Sequence, residues 1–114
     1  MSWNLDSDRP IFLQIVERIE SDIVSGKYLP GDKLPSVREL AVEAAVNPNT
    51  MQKACTELER IGLVYSQRTN GRFVTEDKKQ IDRIRKEMAK RTAQEYLRKM
   101  KEMGIDRDEA MRLL

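Results

Sequence analysis

Three observations predict a mainly helical α+β fold for this chain of 114 residues. Two amphipathic segments, each preceded by a helix-capping residue, are separated by a turn of only a few residues near Val46. Asn70-Gly71 then lies between two runs of β-forming residues, which is a strong hairpin signal. A long amphipathic stripe follows Asp77. Together they predict a winged helix-turn-helix domain at residues 1–76 and a two-helix hairpin at residues 77–114.

Charge is unevenly distributed along the chain. Charged residues make up 35% of the sequence and the net charge is only +2, so total charge does not identify a polyanionic partner. Residues 1–76 carry 9 basic and 11 acidic side chains, whereas residues 77–114 carry 12 and 8. Within the first part most acids lie at or before Glu43, and the later cations are Lys53, Arg60, Arg68 and Arg72. We therefore predict a local basic edge on an otherwise acidic domain.

The residue content argues against catalysis, metal binding and membrane insertion. One cysteine and no histidine exclude an internal disulfide and leave no plausible zinc cluster, so we expect no cofactor or metal. Carboxylates are scattered over polar helix faces instead of converging, so we do not expect an enzyme. No apolar run approaches membrane-spanning length, and the N-terminus lacks a signal-peptide pattern. We expect a cytoplasmic protein with no membrane partner.

The first helix is predicted to begin near Arg9-Pro10, after a cap at Ser7 or Asp8. Its apolar face contains Phe12, Ile15, Val16, Ile19 and Ile23, and its polar face contains Gln14, Glu17, Arg18, Ser21 and Asp22. After Gly26, a connector carries the type II turn signal Pro30-Gly31, and Leu34 is predicted to anchor it in the core. Ser36 is predicted to cap a short second helix that runs to about Ala45.

The central helix is predicted to run from Asn47 to Ile61 and to end at Gly62. Asn47 is a good N-cap, and Pro48 then occupies the first helical position, where a missing N–H costs nothing. Its apolar face contains Met51, Ala54, Cys55, Leu58 and Ile61. On that face Cys55 is expected to be a buried small hydrophobe instead of a reactive thiol.

The opposite face of the central helix carries amides, hydroxyls and one ammonium, namely Asn49, Thr50, Gln52, Lys53 and Thr56. No acidic residue occurs there before Glu57. Groups of this kind are suited to base edges and phosphates in a major groove. An ordinary amphipathic helix with a solvated polar face is the competing interpretation.

The wing is predicted from the alternating pattern after Gly62 and from the Asn70-Gly71 turn. Arg68 and Arg72 flank this turn, and Gly71 would let the backbone approach a phosphate wall or a minor groove. Together with the acid-poor helix, the basic wing favours double-stranded DNA as the partner.

A long amphipathic helix and a short one make up the tail. The apolar row that we predict to form a dimer contact contains Ile81, Ile84, Met88, Tyr96, Met100 and Met103. Gly104 breaks the first helix, and Asp106 is predicted to cap the second. So small a domain cannot bury so long a stripe, and we therefore expect a homodimer with two-fold symmetry. The basic residues of this tail are expected to mark a solvated face.

Several motifs resemble the GntR family of transcriptional regulators, and in particular its short YtrA subfamily. They are Pro10-Ile-Phe-Leu-Gln-Ile, Gly26-Lys-Tyr-Leu-Pro-Gly-Asp-Lys-Leu-Pro-Ser-Val-Arg-Glu-Leu-Ala, Asn47-Pro-Asn-Thr, Leu58-Glu-Arg-Ile-Gly-Leu-Val and Gly71-Arg-Phe-Val. The resemblance implies a winged-helix repressor that binds a palindromic operator as a dimer, often beside the genes of a membrane transporter. A short dimerising tail takes the place of an effector domain in that subfamily.

The resemblance also implies roles for individual positions. Arg38 matches the family arginine that holds DNA from the second helix, and Gly71 matches the wing-tip glycine. Recognition-helix contacts match Asn49, Thr50 and Gln52. Many relatives carry arginines at the positions of Pro48 and Gln52, so readout here is expected to shift towards the Gln52 amide, which pairs well with adenine. The full set of DNA-contacting residues predicted is Arg38, Asn47, Asn49, Thr50, Gln52, Lys53, Arg68, Gly71 and Arg72.

One alternative function and one regulatory hypothesis stay open from the sequence. The alternative is a winged helix used for protein–protein interaction, with the tail as an oligomerisation hairpin. The regulatory hypothesis is a small apolar effector that enters the methionine-rich zone of Met88, Tyr96, Met100 and Met103, because methionine-lined seams adapt to ligands.

Overall fold

The computed structural model describes residues 3–114 and confirms the mainly helical α+β fold. Its elements are α1 (Ile11–Val24), α2 (Val37–Ala44), α3 (Pro48–Arg60), β1 (Val64–Gln67), β2 (Gly71–Val74), α4 (Lys78–Glu102) and α5 (Arg107–Arg112). The chain separates into two compact units between Asp82 and Arg83, so α4 begins in the first unit and ends in the second. The first unit is a winged helix-turn-helix.

The core of the first unit forms where α1 and α2 pack on α3. The largest side chains buried there are Ile15, Ile19, Leu40, Met51, Leu58, Leu63 and Val74. Cys55 is 1% exposed on the same side of α3, as predicted. This apolar packing fixes the orientation of α3, and its polar face is left on the surface.

The start of α1 differs from the prediction. Pro10 occupies the N-cap position and makes no side-chain cap hydrogen bond, so neither Ser7 nor Asp8 caps this helix. Gln14, which we predicted on the polar face, is buried instead. Its amide nitrogen donates to the Asp6 carbonyl at 2.6 Å, and its side-chain oxygen accepts from the Asp6 amide at 2.6 Å. Gln14 therefore satisfies the backbone of the N-terminal segment, which periodicity alone could not reveal.

The turn between α2 and α3 has well-defined caps on both sides. Ser36 and Glu39 form a reciprocal capping box at the start of α2, which confirms the predicted cap. α2 ends at Ala44, and its C-cap residue Ala45 adopts a left-handed conformation with φ of 59°. Asn47 then caps α3, because its side-chain oxygen accepts from the Asn49 amide at 2.7 Å, and Pro48 is the first helical residue as predicted.

The wing contains the predicted hairpin and also a third segment. β1 and β2 pair antiparallel, with Val64 opposite Val74 and Gln67 opposite Gly71. The connector joins the free edge of β2 through a bridge between Lys33 and Phe73. The Leu34 amide donates to the Arg72 carbonyl at 2.9 Å, and the Val74 amide donates to the Asp32 carbonyl at 2.8 Å. We missed this segment because its prolines and Gly31 read as a loop.

The second unit contains the end of α4, a tight turn and α5. Gly104 has φ of 78° and ends the helix, and the Ile105 amide donates back to the Met100 carbonyl at 2.9 Å. The Asp106 side chain accepts from the Glu109 amide at 2.9 Å, so it caps α5 as predicted. The Tyr96 hydroxyl donates to the Ala110 carbonyl at 3.0 Å and ties α5 to α4.

Candidate nucleic-acid interface

The outer face of α3 carries exposed polar groups, as the sequence predicts. Asn49 and Gln52 are exposed, whereas Thr50 is half-buried. The Gln52 amide nitrogen lies 3.5 Å from the Thr56 hydroxyl, which is the outer limit of a hydrogen bond. The Thr56 hydroxyl donates instead to the Gln52 carbonyl at 3.0 Å. The Thr56 hydroxyl therefore holds the Gln52 amide only weakly, and the amide can bind a ligand that offers one hydrogen-bond donor and one acceptor.

Asn47 has a structural role at the same end of the helix. Its side-chain oxygen is engaged with the Asn49 amide, while its amide NH₂ group lies at an exposed position. This hydrogen bond leaves Asn47 a donor but not a free acceptor. The cap also orients the first turn of α3, on which Asn49 and Thr50 lie.

Arg38 lies next to the capping box on α2. The residue is exposed, and within residues 3–114 its guanidinium has no hydrogen-bond or ion-pair partner. An unpaired surface guanidinium is available to a phosphate at little cost in lost interactions. The Arg38 guanidinium is therefore exposed and available to an anion.

Lys53 is held beside α1. Its ammonium nitrogen lies 4.6 Å from the centre of the Phe12 ring, which is a cation–π distance. Lys53 is still exposed, so its charge remains at the surface. The Lys53 ammonium is thus placed against α1.

The tip of the wing carries one predicted cation and one that the sequence interpretation missed. Arg68 is exposed in the three-residue loop, and Gly71 has φ of +99°, a conformation that favours glycine. A Cβ atom placed on Gly71 would lie 3.2 Å from Cε of Lys33. Lys33 therefore passes directly over the wing-tip glycine. The alternation of Lys33 with the buried Leu34 was the signal that could have placed it on the outer surface.

Lys33 faces a cleft between the connector and the wing tip. This cleft has a volume of about 640 Å³, and Ser36, Glu39, Asn70 and Gly71 also line it. The Ser36 amide and hydroxyl, which both bond to Glu39, hold the pKa of the Glu39 carboxyl below its ordinary value, and Lys33 acts in the same direction. Glu39 is therefore ionised near neutral pH and partly offsets the positive charge of Lys33.

Arg72 is placed differently from Arg68. Its Nε atom donates to Oε1 of Glu59 on α3 at 2.8 Å, and only 19% of its side chain is exposed. The same Glu59 oxygen accepts from the Ser66 hydroxyl. Arg72 thus joins the wing to α3, whereas Arg68 has an exposed position in the loop.

The tail residues predicted to form the dimer contact differ in exposure. Ile84 is 6% exposed, so it is already buried in the single chain. Ile81, Met88, Tyr96 and Met100 are half-buried. Met103 is 63% exposed, and Met111 in α5 and Leu113 and Leu114 directly after it are exposed as well. These four lie close together in sequence, whereas the exposed large apolar residues of the first unit, namely Leu13, Leu29 and Val42, are far apart in sequence.

Other chemistries find little support in the described part of the chain. Residues 3–114 contain no cluster of three or more side chains suited to a metal ion. Burial raises the pKa of the Cys55 thiol, which makes it a poor nucleophile. None of the helices in residues 3–114 has an apolar stretch of the length that spanning a bilayer requires.

Comparisons with known proteins identify the family of the chain. Residues 12–74 match the family profile of bacterial regulatory proteins of the gntR family. The chain is 38% identical over 111 residues to the uncharacterised HTH-type transcriptional regulator YhcF of Bacillus subtilis, covering 97% of this chain and 92% of that protein. It is 45% identical over 73 residues to the HTH-type transcriptional repressor YtrA of the same organism, covering 64% of this chain and 56% of the repressor.

Solved structures give the same result. A GntR family transcriptional regulator from Listeria monocytogenes superposes with a TM-score of 0.89 at 39% identity, covering 96% of both chains. The DNA-binding domain of AraR in complex with operator ORX1 superposes with a TM-score of 0.57 at 36% identity, covering 66% of this chain and 92% of that one. The chain belongs to the GntR family of bacterial regulatory proteins, and it is a DNA-binding transcriptional regulator, not an enzyme.

Proposed function

We propose that the chain is a repressor that binds a two-fold symmetric operator as a homodimer and reads it with α3. The observation that carries this proposal is the outer face of α3, where exposed and weakly held amides lie close in sequence to the unpaired Arg38. Support for the direction of regulation comes from YtrA, which is named a repressor. Support for operator binding comes from the AraR DNA-binding domain, which was solved with its operator.

In this proposal each exposed group has a specific role. Asn49 and Gln52 contact base edges, and Thr50 and the free NH₂ of Asn47 contact the DNA beside them. Arg38 binds a phosphate, as does Lys53 after its ammonium leaves the Phe12 ring. At the wing, Arg68, the Gly71 backbone and Lys33 contact the sugar–phosphate backbone. Two copies of α3 would lie in successive major grooves about 34 Å apart.

The proposed homodimer forms through the second unit. Met103, Met111, Leu113 and Leu114 are exposed apolar side chains, and burying them against a second copy removes their surface from water. Sedimentation velocity tests this assembly. We expect wild type to sediment as a dimer and Met103→Glu to shift towards monomer, whereas Lys101→Glu, a charge change at a neighbouring exposed position, should remain a dimer. A monomeric wild type would refute the proposed assembly.

The proposed targets are the genes of a membrane transporter, as the resemblance to the YtrA subfamily implies. Sequencing of genomic DNA cross-linked to the protein tests this by locating the bound sites. Sites that lie away from transporter genes would refute this part of the proposal alone. A small apolar effector near Met88, Tyr96, Met100 and Met103 stays a prediction.

A salt titration tests the DNA-binding surface. Each phosphate contact contributes about 0.9 to the slope of log affinity against log salt. Arg38→Ala removes one contact from each protomer, so we expect the slope of the dimer to fall by about 1.8 and affinity to fall on all sequences. Gln52→Ala should keep the slope and relax the base preference instead.

The matched control for this titration is Arg60→Ala. Arg60 lies on the last turn of α3, but its guanidinium is already paired with Glu57 at 2.7 and 2.5 Å. Its removal takes away the same charge as Arg38→Ala, yet we expect little change in the slope. An unchanged slope for Arg38→Ala would refute the proposed DNA-binding surface.

A further inference from the structure

The two arginines of the wing have different environments. Arg68 lies in the exposed loop, with no partner found within residues 3–114. Arg72 is 19% exposed and donates from Nε to the Glu59 carboxylate at 2.8 Å, and Glu59 itself is only 29% exposed. Since this ion pair is largely shielded from water, it is worth more than an ordinary surface pair.

One carboxylate oxygen of Glu59 holds both strands of the wing. It accepts from Arg72 on β2 and from the Ser66 hydroxyl on β1. Ser66 and Arg72 are directly opposite each other in the hairpin, and only the pair Gln67–Gly71 separates them from the loop. Glu59 therefore contacts the ribbon close to its tip.

The rest of the wing explains why such an attachment matters. At the base, Val64 and Val74 are 3% and 0% exposed and anchor the hairpin in the core. On the opposite face, Tyr65 and Phe73 stack across the strands with ring centres 5.9 Å apart, which stiffens the ribbon without fixing its direction. The connector supports β2 through its backbone hydrogen bonds with Arg72 and Val74, but a two-stranded ribbon has little stability of its own and gains from a further attachment. The contacts of Glu59 fix the ribbon to α3 above the core.

We propose that Glu59, Ser66 and Arg72 form a wing clamp that sets the position of the wing relative to α3, so that the wing and α3 contact DNA together. In this clamp Arg72 is a positioning residue and Arg68 and Lys33 supply the positive charge at the tip. The inference rests on the proposed DNA-binding function and assigns Arg72 a role other than the direct DNA contact that its charge suggests.

The clamp and a direct contact predict opposite effects of Glu59→Gln. If Arg72 were a DNA ligand, removing Glu59 would free its guanidinium and take a negative charge away from the DNA-binding side, so affinity would rise. If Arg72 positions the wing, the same change loosens the wing and affinity falls. We expect Glu59→Gln to weaken binding roughly fivefold to tenfold, in keeping with the loss of a charge-assisted hydrogen bond.

The affinity experiment uses the full chain and a 30-base-pair duplex carrying the sequence that wild type enriches from a random pool. Fluorescence anisotropy gives the Kd of wild type, Glu59→Gln, Arg72→Gln and the double variant. We expect the double variant to bind no more weakly than either single one, because each breaks the same contact. Glu57→Gln is the matched control: it removes an acid from the same helix turn, but Glu57 pairs with Arg60 and not with the wing. It should leave affinity within about twofold of wild type.

A second measurement needs no DNA. Backbone ¹⁵N relaxation reports the order of the amides from residue 66 to residue 72, and we expect lower order parameters there in Glu59→Gln but not in Glu57→Gln. Tighter DNA binding by Glu59→Gln, additive effects in the double variant, or unchanged wing dynamics would each overturn the clamp. If wild type enriched no sequence from the pool, the proposed DNA-binding function would fail, and the relaxation result would still decide the clamp.

Discussion

Ala45 supports the turn of the helix-turn-helix in a conformation that its side chain disfavours. Among the non-glycine residues that the structure describes, it alone has a positive φ, at 59°. The left-handed conformation costs an L-residue with a Cβ roughly 1–2 kcal/mol, and glycine avoids this cost. Glycine in turn loses roughly 0.5–1 kcal/mol more backbone entropy on folding. With the middle of each range, Ala45→Gly should therefore stabilise the protein by about 0.7 kcal/mol.

The surroundings of Ala45 tolerate the loss of its methyl group. The residue is exposed, so removal of its methyl group leaves no cavity, and its amide still donates to the Val42 carbonyl at 3.2 Å. Ala44 provides the matched control, because it is the neighbouring alanine but lies in regular α-helix and is 2% exposed. Ala44→Gly loses both burial and helix propensity and should destabilise by about 1–2 kcal/mol.

Thermal unfolding followed by circular dichroism distinguishes the two variants, at one fixed protein concentration because association would shift Tm. We expect the Tm of Ala45→Gly to rise by about 2–5 °C and that of Ala44→Gly to fall. An unchanged or lower Tm for Ala45→Gly would refute the argument that the α2–α3 turn is strained. DNA affinity should stay within about twofold, since the turn geometry is already the one that glycine prefers.

Three further predictions concern Glu39, Cys55 and Gly71. The capping hydrogen bonds with Ser36 lower the pKa of the Glu39 carboxyl from its ordinary value of 4.5. The ionised carboxylate therefore stabilises the folded state above pH 4.5, and this stabilisation is lost as pH falls through the lowered pKa. Urea unfolding at stepped pH should show that the free energy of unfolding decreases less on acidification for Glu39→Gln than for wild type. Equal decreases would contradict this. Because Cys55 is buried and its thiol pKa is raised, a thiol reagent should label the native protein only at the rate of unfolding, whereas rapid labelling in buffer would show that the site is open. Gly71→Ala and Gly26→Ala both place a side chain at positive φ, but only the first crowds Lys33. Both should lower Tm, and only Gly71→Ala should also weaken DNA binding. Equal DNA affinities of the two variants would refute the proposed contact of Lys33 with DNA at the wing.

Local signals in the sequence were sufficient for most of the fold. Ser36, Asn47 and Asp106 cap their helices as predicted, because capping depends on residues only two or three positions away. The Asn70-Gly71 signal likewise predicted the hairpin, whose Gly71 takes the positive φ. Gln14 was misassigned because its partner Asp6 belongs to an irregular segment that periodicity does not describe.

The candidate site was predictable in its residue types but not in its pairings. Arg38 and Gln52 are exposed as their helix positions required. The pairing of Arg72 with Glu59 joins residues 13 apart, and it depends on the angle between the wing and α3, which no local pattern encodes. Lys33 was missed for a similar reason, because its bridge to Phe73 is a contact between distant segments.

Selection of bound DNA from a random pool, with sequencing after each round, tests the central claim most directly. The claim is that a homodimer reads DNA with two copies of α3. We predict enrichment of one inverted repeat whose half-site centres lie about 10 base pairs apart. A pool that stays random over successive rounds, or one that converges on a single half-site without symmetry, would contradict it.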